Sequence, residues 1–280
     1  MEIVATSPFV GAEIRGVDLR SVTDDEFDAI QQAFIQHGVI FFRDQELSPA
    51  EHIAFAERWG TINVNRFFPA VDGFPQIAEV RKEPGQLANI GGAWHTDHSY
   101  DQIPALGSIL YAREVPPIGG DTLFASQYAA FDALSASLQD TLRDLWADHS
   151  SRLAFGAPSD RFNNAENATQ DSLHPVVIEH PLSGRPALYV NLAFTLRFHG
   201  WSDAESKPLL HYLYDHASRP EFTTRFEWEP GSMAIWDNRA VQHNALNDYH
   251  GHRRLMHRIT IEGTEVAPAR PQPRPDAVAA

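Results

Sequence analysis

The chain carries a His-x-Asp pair, His95 and Asp97, shortly after the two glycines Gly91 and Gly92. In an extended backbone the side chains of residues i and i+2 lie on the same face, so this imidazole and this carboxylate could bind one metal ion together. The spacing alone is a weak signal, because a chain with 14 histidines contains about one such pair by chance. A metal site at this pair therefore requires a fold that brings a third ligand to it from another part of the chain.

A candidate third ligand, His243, lies far downstream, shortly after the apolar block that ends at Trp236. Two histidines and one carboxylate on one face of a metal ion, with the other positions open, are the ligand set of non-haem Fe(II) oxygenases. His95, Asp97 and His243 are therefore the predicted ligands of Fe(II). We expect no other catalytic side chain.

Two arginines, Arg254 and Arg258, follow the candidate third ligand. If the segment 254–260 is extended, both side chains lie on one face, with Met256 between them. An unpaired buried charge is very costly, so each arginine should meet an anion. A dianionic co-substrate and an anionic substrate would satisfy both.

Five short blocks of the chain occur in the order found in a known family. They are Trp94-His95-Thr96-Asp97, Pro116-Pro117-Ile118-Gly119-Gly120-Asp121-Thr122, His174-Pro175-Val176-Val177, Trp236-Asp237-Asn238-Arg239 and Arg253-Arg254-Leu255-Met256-His257-Arg258. From roughly Ile14 to Gly263 the chain thus resembles the taurine dioxygenase / 2,4-dichlorophenoxyacetate dioxygenase family of Fe(II)- and 2-oxoglutarate-dependent oxygenases. Its segment 202–217 looks most like the aryloxyalkanoate (phenoxypropionate) dioxygenases of that family.

The resemblance implies a mainly β fold with α insertions, a double-stranded β-helix (a cupin-like jelly roll) with covering helices. Many short strand segments and a few helices suggest the same fold. The family resemblance also implies Fe(II) as the cofactor, with 2-oxoglutarate and O2 as co-substrates. The implied reaction is hydroxylation of a small organic anion with release of succinate and CO2. The family pattern assigns Thr122 and Arg254 to 2-oxoglutarate, and a guanidinium suits the bidentate recognition of its distal carboxylate.

Seven residues are the candidates for substrate binding. They are Arg258, Asn65, Phe68, Ile90, Gly91, His98 and Phe194, and Phe155 and Leu192 are expected to extend the apolar wall. Phe68, Ile90 and Gly91 align with polar substrate-binding positions of taurine dioxygenase, and their change leaves no partner for an ammonium group. The pattern therefore favours an aryloxyalkanoate, alkyl sulfonate or sulfate ester over taurine.

Three alternatives stay open at this point: taurine dioxygenase proper, a non-catalytic jelly-roll protein that binds a metal or a ligand, and a metal-dependent hydrolase on the same scaffold. A binding protein would not need Thr122 and both arginines together. A hydrolase would need an activated water and no 2-oxoglutarate site.

Composition places the chain among globular proteins, with 43% hydrophobic and 21% charged residues. The net charge of −15 argues against nucleic-acid or anionic-membrane partners. Because the chain has no cysteine, the redox compartment cannot be read from the sequence. A cytoplasmic protein is the default expectation, since there is no secretory signal and no long apolar run. We predict one domain over residues 1–266 with a disordered Pro-rich tail over 267–280, and the sequence leaves both a monomer and a homo-oligomer open.

Capping signals and periodicity predict the main elements. Helices are expected over 24–37, 49–59, 127–148 and 202–217, and strands over 39–42, 76–81, 106–112, 121–125, 224–228, 232–236 and 258–262. Two irregular segments, 83–90 and 150–172, are expected to act as lids.

Overall fold

The computed structural model describes residues 1–155 and 170–270 of the chain. Within these residues the helices are α1 Asp24–His37, α2 Pro49–Glu57, α3 Gln127–Asp132, α4 Ala136–Arg143, α5 Arg152–Phe155 and α6 Asp203–Ala217. The strands are β1 Glu2–Ala5, β2 Ala12–Arg15, β3 Val39–Phe42, β4 Ile62–Asn63, β5 Ala70–Val71, β6 Phe74–Lys82, β7 Gly107–Glu114, β8 Thr122–Ser126, β9 Trp146–Ser150, β10 Asp171–Pro175, β11 Val177–Glu179, β12 Pro186–Leu188, β13 Thr195–Phe198, β14 Thr223–Phe226, β15 Met233–Asp237, β16 Val241–Ala245, β17 Arg254–Ile261 and β18 Ala267–Pro268. None of the described helices is long and apolar enough to cross a membrane.

A large sheet and three small sheets form the two walls of the fold. The large sheet has the order β1-β2-β3-β15-β7-β17-β6-β5, with β4 paired to β17. The small sheets are β14-β8-β16, β10-β9-β13 and β12-β11-β18. Side chains from both walls share one core, in which Phe41 of the large sheet stacks on Phe226 with ring centroids 4.1 Å apart. This is the jelly roll with covering helices that the sequence predicted.

Alternation along the central strand β7 separates the two faces of the large sheet. Leu110 points into the core between the walls, whereas Ile109 and Tyr111 point outward and pack under α1 and α2 through Phe34 and Phe55. Helices α1, α2 and α6 each begin at a complete capping box, as the sequence predicted, because an acidic side chain at the third helical position bonds back to the cap residue.

The predicted single helix over 127–148 is wrong. The chain forms α3 and α4 there, and then strand β9. Ser135 begins the second helix as its N-cap residue, and residues from Trp146 onward pair with β10 and β13. The apolar stripe was nevertheless correctly assigned to the core, because Phe131, Leu134 and Leu142 are buried in one cluster.

Both ends of the segment 150–172 and the start of the tail are more regular than predicted. Arg152–Phe155 is helical and β10 begins at Asp171, while residues 156–169 of the second predicted lid lie outside the described residues. At the C-terminus Ala267–Pro268 pairs with β11, and Arg270 forms ion pairs with acidic side chains near α4. Residues 267–270 therefore contact the rest of the described fold, and residues 271–280 of the predicted tail lie outside the described part.

A fully buried ion pair stabilises the end of β15. Asp237 accepts hydrogen bonds from Nε and Nη2 of Arg239 at 2.9 and 2.8 Å. The oxygen that accepts from Nη2, Oδ2, is also 2.9 Å from Nε2 of His180. Burial raises the pKa of the Asp237 carboxyl, but Arg239 and, to a smaller extent, His180 together lower it by more than burial raises it. The net shift of this pKa is therefore downward. The Trp-Asp-Asn-Arg block thus stabilises the turn between β15 and β16.

Candidate active site

The two candidate histidine ligands face each other across a local antiparallel bridge. The backbone N–H of His95 donates to the carbonyl of His243 at 3.1 Å, and the reverse bond is 2.9 Å. His243 lies on β16, which is held by pairing with β8. The bridge fixes the spacing of the two imidazoles, and Asp97 follows two residues after the first of them.

The candidate ligand atoms converge. Those of His95, Asp97 and His243 all lie within 4.8 Å of one another, and the three side chains are buried. Asp97 also accepts a hydrogen bond from the hydroxyl of Ser108 at 3.0 Å and pairs with Nη2 of Arg258 at 2.9 Å. Both of these contacts use Oδ2, while Oδ1 is 3.6 Å from Nε2 of His95.

The protonation states suit a divalent cation. Nδ1 of His95 lies 2.7 Å from the carbonyl of Ala93, and since a carbonyl only accepts, Nδ1 is the donor in this contact and Nε2 is the nitrogen that faces Asp97. Burial lowers the pKa of His243 well below its usual value, so this imidazole is neutral. Burial raises the pKa of Asp97, but Arg258 and then the two histidines lower it well below the usual range. Two imidazoles and a carboxylate are a fitting donor set for Fe(II).

Aromatic packing orients the histidine rings. Trp236 contacts His243 with ring centroids 4.7 Å apart, and Phe124 stacks on the same imidazole at 6.1 Å. Phe194 meets His95 edge to face at 6.1 Å. These contacts restrict ring rotation, so the site is preorganised for an ion.

Arg254 and Thr122 form a second polar group, joined by Trp228. Nε of Arg254 donates to the carbonyl of Gly120 at 3.1 Å, whereas Nη2 is buried and has no hydrogen-bond partner among the described residues. Burial lowers the pKa of Arg254. Tyr249 raises this pKa in part and has a larger effect than the carboxylate of Asp121. The indole N–H of Trp228 donates to Oγ1 of Thr122 at 3.0 Å, which leaves the hydroxyl hydrogen available for another acceptor. A carboxylate placed here would meet two donors.

A cavity of about 630 Å³ opens at the metal-ligand cluster. All seven predicted substrate-binding residues line it: Arg258, Asn65, Phe68, Ile90, Gly91, His98 and Phe194. Phe155 lines it as well. Leu192 does not, because its side chain is 47% exposed and only its neighbours Ala193 and Phe194 reach the cavity.

Several polar residues of the cavity are already engaged. Nη2 of Arg258 is paired with Asp97, but its buried Nε has no partner among the described residues. Oδ1 of Asn65 accepts the N–H groups of Phe67 and Phe68 at 2.8 and 2.9 Å, so this oxygen orders the loop instead of facing a ligand. Arg258 thus keeps one buried donor without a partner among the described residues.

Sequence reasoning missed several residues of this site. Ser108 binds a metal-ligand candidate, and Trp228 joins the two 2-oxoglutarate candidates. Phe67 and Tyr100 form part of the aromatic wall. A small polar residue inside the apolar strand β7 was a usable signal for Ser108. Nothing in the local sequence indicates the partner of Trp228.

A jelly roll with two histidines and a carboxylate in one cluster, and with a buried arginine that forms no ion pair among the described residues, is the arrangement expected of a non-haem metal-dependent oxygenase. The chain belongs to the family described as "Taurine catabolism dioxygenase TauD, TfdA family", whose sequence model matches residues 2–260. It is accordingly an Fe(II)- and 2-oxoglutarate-dependent dioxygenase.

Individual relatives agree with this family. The chain is 37% identical over 265 residues to an alpha-ketoglutarate-dependent sulfate ester dioxygenase of Pseudomonas putida, covering 91% of this chain and 87% of that protein. It is 31% identical to an (S)-phenoxypropionate/alpha-ketoglutarate-dioxygenase of Delftia acidovorans, covering 94% and 97%. The crystal structure of a taurine dioxygenase from Burkholderia xenovorans superimposes with a TM-score of 0.82 at 33% identity, covering 95% and 92%.

Proposed function

We propose that the chain hydroxylates an organic sulfate ester or sulfonate with an apolar body, at the carbon next to the heteroatom of the headgroup. The observation that carries this proposal is Arg258, which pairs with Asp97, lines a largely apolar cavity and has a buried Nε with no hydrogen-bond partner in the described part of the chain. An anionic headgroup would supply the missing acceptor, and the apolar body would contact the aromatic wall.

In this proposal His95, Asp97 and His243 hold Fe(II). When bound, Fe(II) supplies, together with 2-oxoglutarate and O2, the oxidising chemistry that yields succinate, CO2 and a hydroxylated substrate. Ser108 and Arg258 hold the Asp97 carboxylate in its ionised form, and Trp236 limits rotation of the His243 ring. The protein thus contributes ligation, orientation and exclusion of water.

Arg254 and Thr122 would bind the distal carboxylate of 2-oxoglutarate. Within residues 1–155 and 170–270, neither Nη2 of Arg254 nor the hydroxyl hydrogen of Thr122 has an acceptor. A buried donor left unsatisfied costs about 1–3 kcal/mol, so a carboxylate at this position removes a penalty as well as adding contacts.

Arg258 would orient the substrate so that the carbon beside the headgroup faces the metal. Hydroxylation of the carbon that bears a sulfate ester replaces C–H by C–OH, after which the C–O bond to sulfate breaks, the hydroxyl proton is lost and an aldehyde and sulfate result. In a sulfonate the C–S bond breaks instead. The relative with 37% identity is named for sulfate esters, which supports this headgroup for the chain.

A second candidate substrate class is the aryloxyalkanoates. Phe67 and Phe155 stack with ring centroids 4.3 Å apart, and Tyr100 meets Phe194 edge to face at 4.8 Å. Such an aromatic wall can take an aryl ring in offset or edge-to-face contact. The relative named for phenoxypropionate, at 31% identity, supports the same class.

A substrate panel tests the proposal. Purified protein with Fe(II), 2-oxoglutarate and O2 is incubated with hexyl sulfate, hexane-1-sulfonate, phenoxyacetate, 2-phenoxypropionate and taurine, and succinate and the released headgroup are quantified. We expect the sulfate ester or the sulfonate to give the highest kcat/KM. Headgroup release by Zn(II) protein without O2 would instead indicate a hydrolase, and no succinate above the substrate-free level with any compound would indicate another substrate class or a binding protein.

A further inference from the structure

The turn that follows Asp97 has a strained backbone and lines the cavity. His98 has φ +60°, a left-handed conformation that is strained for a residue with a side chain. His98 and Tyr100 line the cavity, whereas Ser99 between them is fully buried away from it. The surrounding structure must therefore hold this turn in place.

Buried side chains grip the turn from behind. The hydroxyl of Ser172 donates to the carbonyl of Ser99 at 2.8 Å, and Nε2 of His174 lies 2.9 Å from the carbonyl of Asp101. Because a carbonyl only accepts, this Nε2 carries a proton and donates. Nδ2 of Asn191 donates to Oγ of Ser99 at 3.0 Å. Two of these contacts come from β10, so one strand holds two successive parts of the turn.

The contact from His174 continues to the cavity through Asp101. The Asp101 carboxylate lies 2.8 Å from Nδ1 of His98 and pairs with Arg66. Since Nδ1 of His98 is engaged in this way, Nε2 is the nitrogen left to meet a ligand. A shift of the Asp101 backbone would therefore move the His98 ring in the cavity wall.

We propose that His174 is a positioning residue for substrate recognition, which holds Asp101 and thereby fixes His98 in the wall of the cavity. This inference rests on the proposed function, because it concerns how the same cavity selects its substrate. It gives a role to the His-Pro block at residues 174 and 175, which the metal-ligand and 2-oxoglutarate assignments leave unexplained. Its effect should appear in KM for the substrate, and not in the affinity for 2-oxoglutarate.

The test compares His174→Leu with the matched variant His216→Leu. His216 is also a buried histidine, and its Nε2 donates to the backbone carbonyl of Ala130 at 2.8 Å. It lies on α6, faces α3, and is not among the residues that line the cavity. Each variant loses the hydrogen bond from Nε2 to a backbone carbonyl. Loss of about 1 kcal/mol of positioning corresponds to a roughly fivefold rise in KM, expected for His174→Leu with the best substrate of the panel and absent in His216→Leu. His174→Gln, which keeps a donor near the original Nε2, should restore most of the affinity.

Hydrogen–deuterium exchange supplies a readout that needs no turnover. The Asp101 N–H donates to the carbonyl of His98 at 3.0 Å, so a loosened turn exchanges faster. Peptides covering 97–103 should exchange faster in His174→Leu and unchanged in His216→Leu. Equal exchange and equal KM in the two leucine variants would overturn the proposal while leaving the function intact. Wild-type protein that turns over nothing would refute the proposed function, and exchange alone would then decide whether His174 holds the turn.

Discussion

Replacing the ammonium group of taurine by a methyl group should improve the substrate. Among the described residues that line the cavity, Asp97 is the one carboxylate, and it is already bound by Arg258 and Ser108. An ammonium group would therefore lose hydration without gaining an ionic partner, which costs several kcal/mol. The methyl group of propane-1-sulfonate contributes about 0.8 kcal/mol on burial instead. Together these terms predict at least about a 100-fold higher affinity for propane-1-sulfonate.

Lengthening the chain extends the same argument. Hexane-1-sulfonate carries three more methylene groups, and burying them against Phe68, Phe194 and Ile90 adds about 2.4 kcal/mol, or some 60-fold in affinity. The assay measures kcat/KM for the three sulfonates by succinate release, together with competition against taurine. If taurine gave the highest kcat/KM, the assignment of Phe68, Ile90 and Gly91 to the substrate cavity would be refuted, although the metal site would survive.

Three further predictions concern single side chains. His243→Ala should abolish Fe(II) binding, measured by metal analysis, and turnover, while far-UV circular dichroism stays unchanged. Arg254→Ala should raise the apparent KM for 2-oxoglutarate by loss of a charge-assisted contact worth about 1.5–3 kcal/mol, and Arg258→Ala should chiefly raise KM for the substrate. Asp237→Asn should lower the free energy of unfolding by about 3–5 kcal/mol at neutral pH, measured with urea, because Arg239 is left buried without a counter-ion.

The last of these has a defined pH dependence. The folded-state pKa of Asp237 lies below its unfolded value, so its stabilising contribution is present above about pH 4 and is lost as pH falls through the folded pKa. The difference in stability between wild type and Asp237→Asn should therefore shrink in acid. A difference that is constant with pH would contradict the ion-pair explanation.

The other two predictions also have clear contrary outcomes. Full activity in His243→Ala would remove this residue from the ligand set, and turnover supported by Zn(II) alone would favour hydrolysis. Identical kinetic defects in Arg254→Ala and Arg258→Ala would show that the two guanidiniums do not act on separate ligands.

Local sequence signals were sufficient for much of the fold. The capping boxes at Thr23, Ser48 and Ser202 predicted three helices correctly because the physical cause of a helix start is local. The spacing of Arg254 and Arg258 on one extended segment was equally local, and both side chains are buried on β17. Side chains alternate between the two faces of a strand, so two residues four positions apart lie on the same face. This placement can be predicted from a short segment of sequence.

Features decided by distant pairing were missed. Nothing between 146 and 150 resembles a helix break, and the segment forms β9 because β10 and β13 lie beside it. The strand that carries His243 was not predicted for the same reason, since it depends on β8. The pairing of Arg258 with Asp97 was also missed, because the sequence indicates only that an inward-facing arginine needs some anion.

The bridge between His95 and His243 makes the metal ion a removable cross-link between remote parts of the chain. The two backbone bonds of the bridge close a loop that contains most of the small sheets, and a third bond, from the N–H of Ala245 to the carbonyl of Gly91, ties the cavity wall to the same seam. Coordination by His95, Asp97 and His243 would reinforce this seam with three metal–ligand bonds and raise the stability of the segments that the loop encloses. Loss of the ion would consequently loosen the cavity wall along with the ligand cluster. Substrate affinity and the capacity to oxidise the substrate would therefore be lost together.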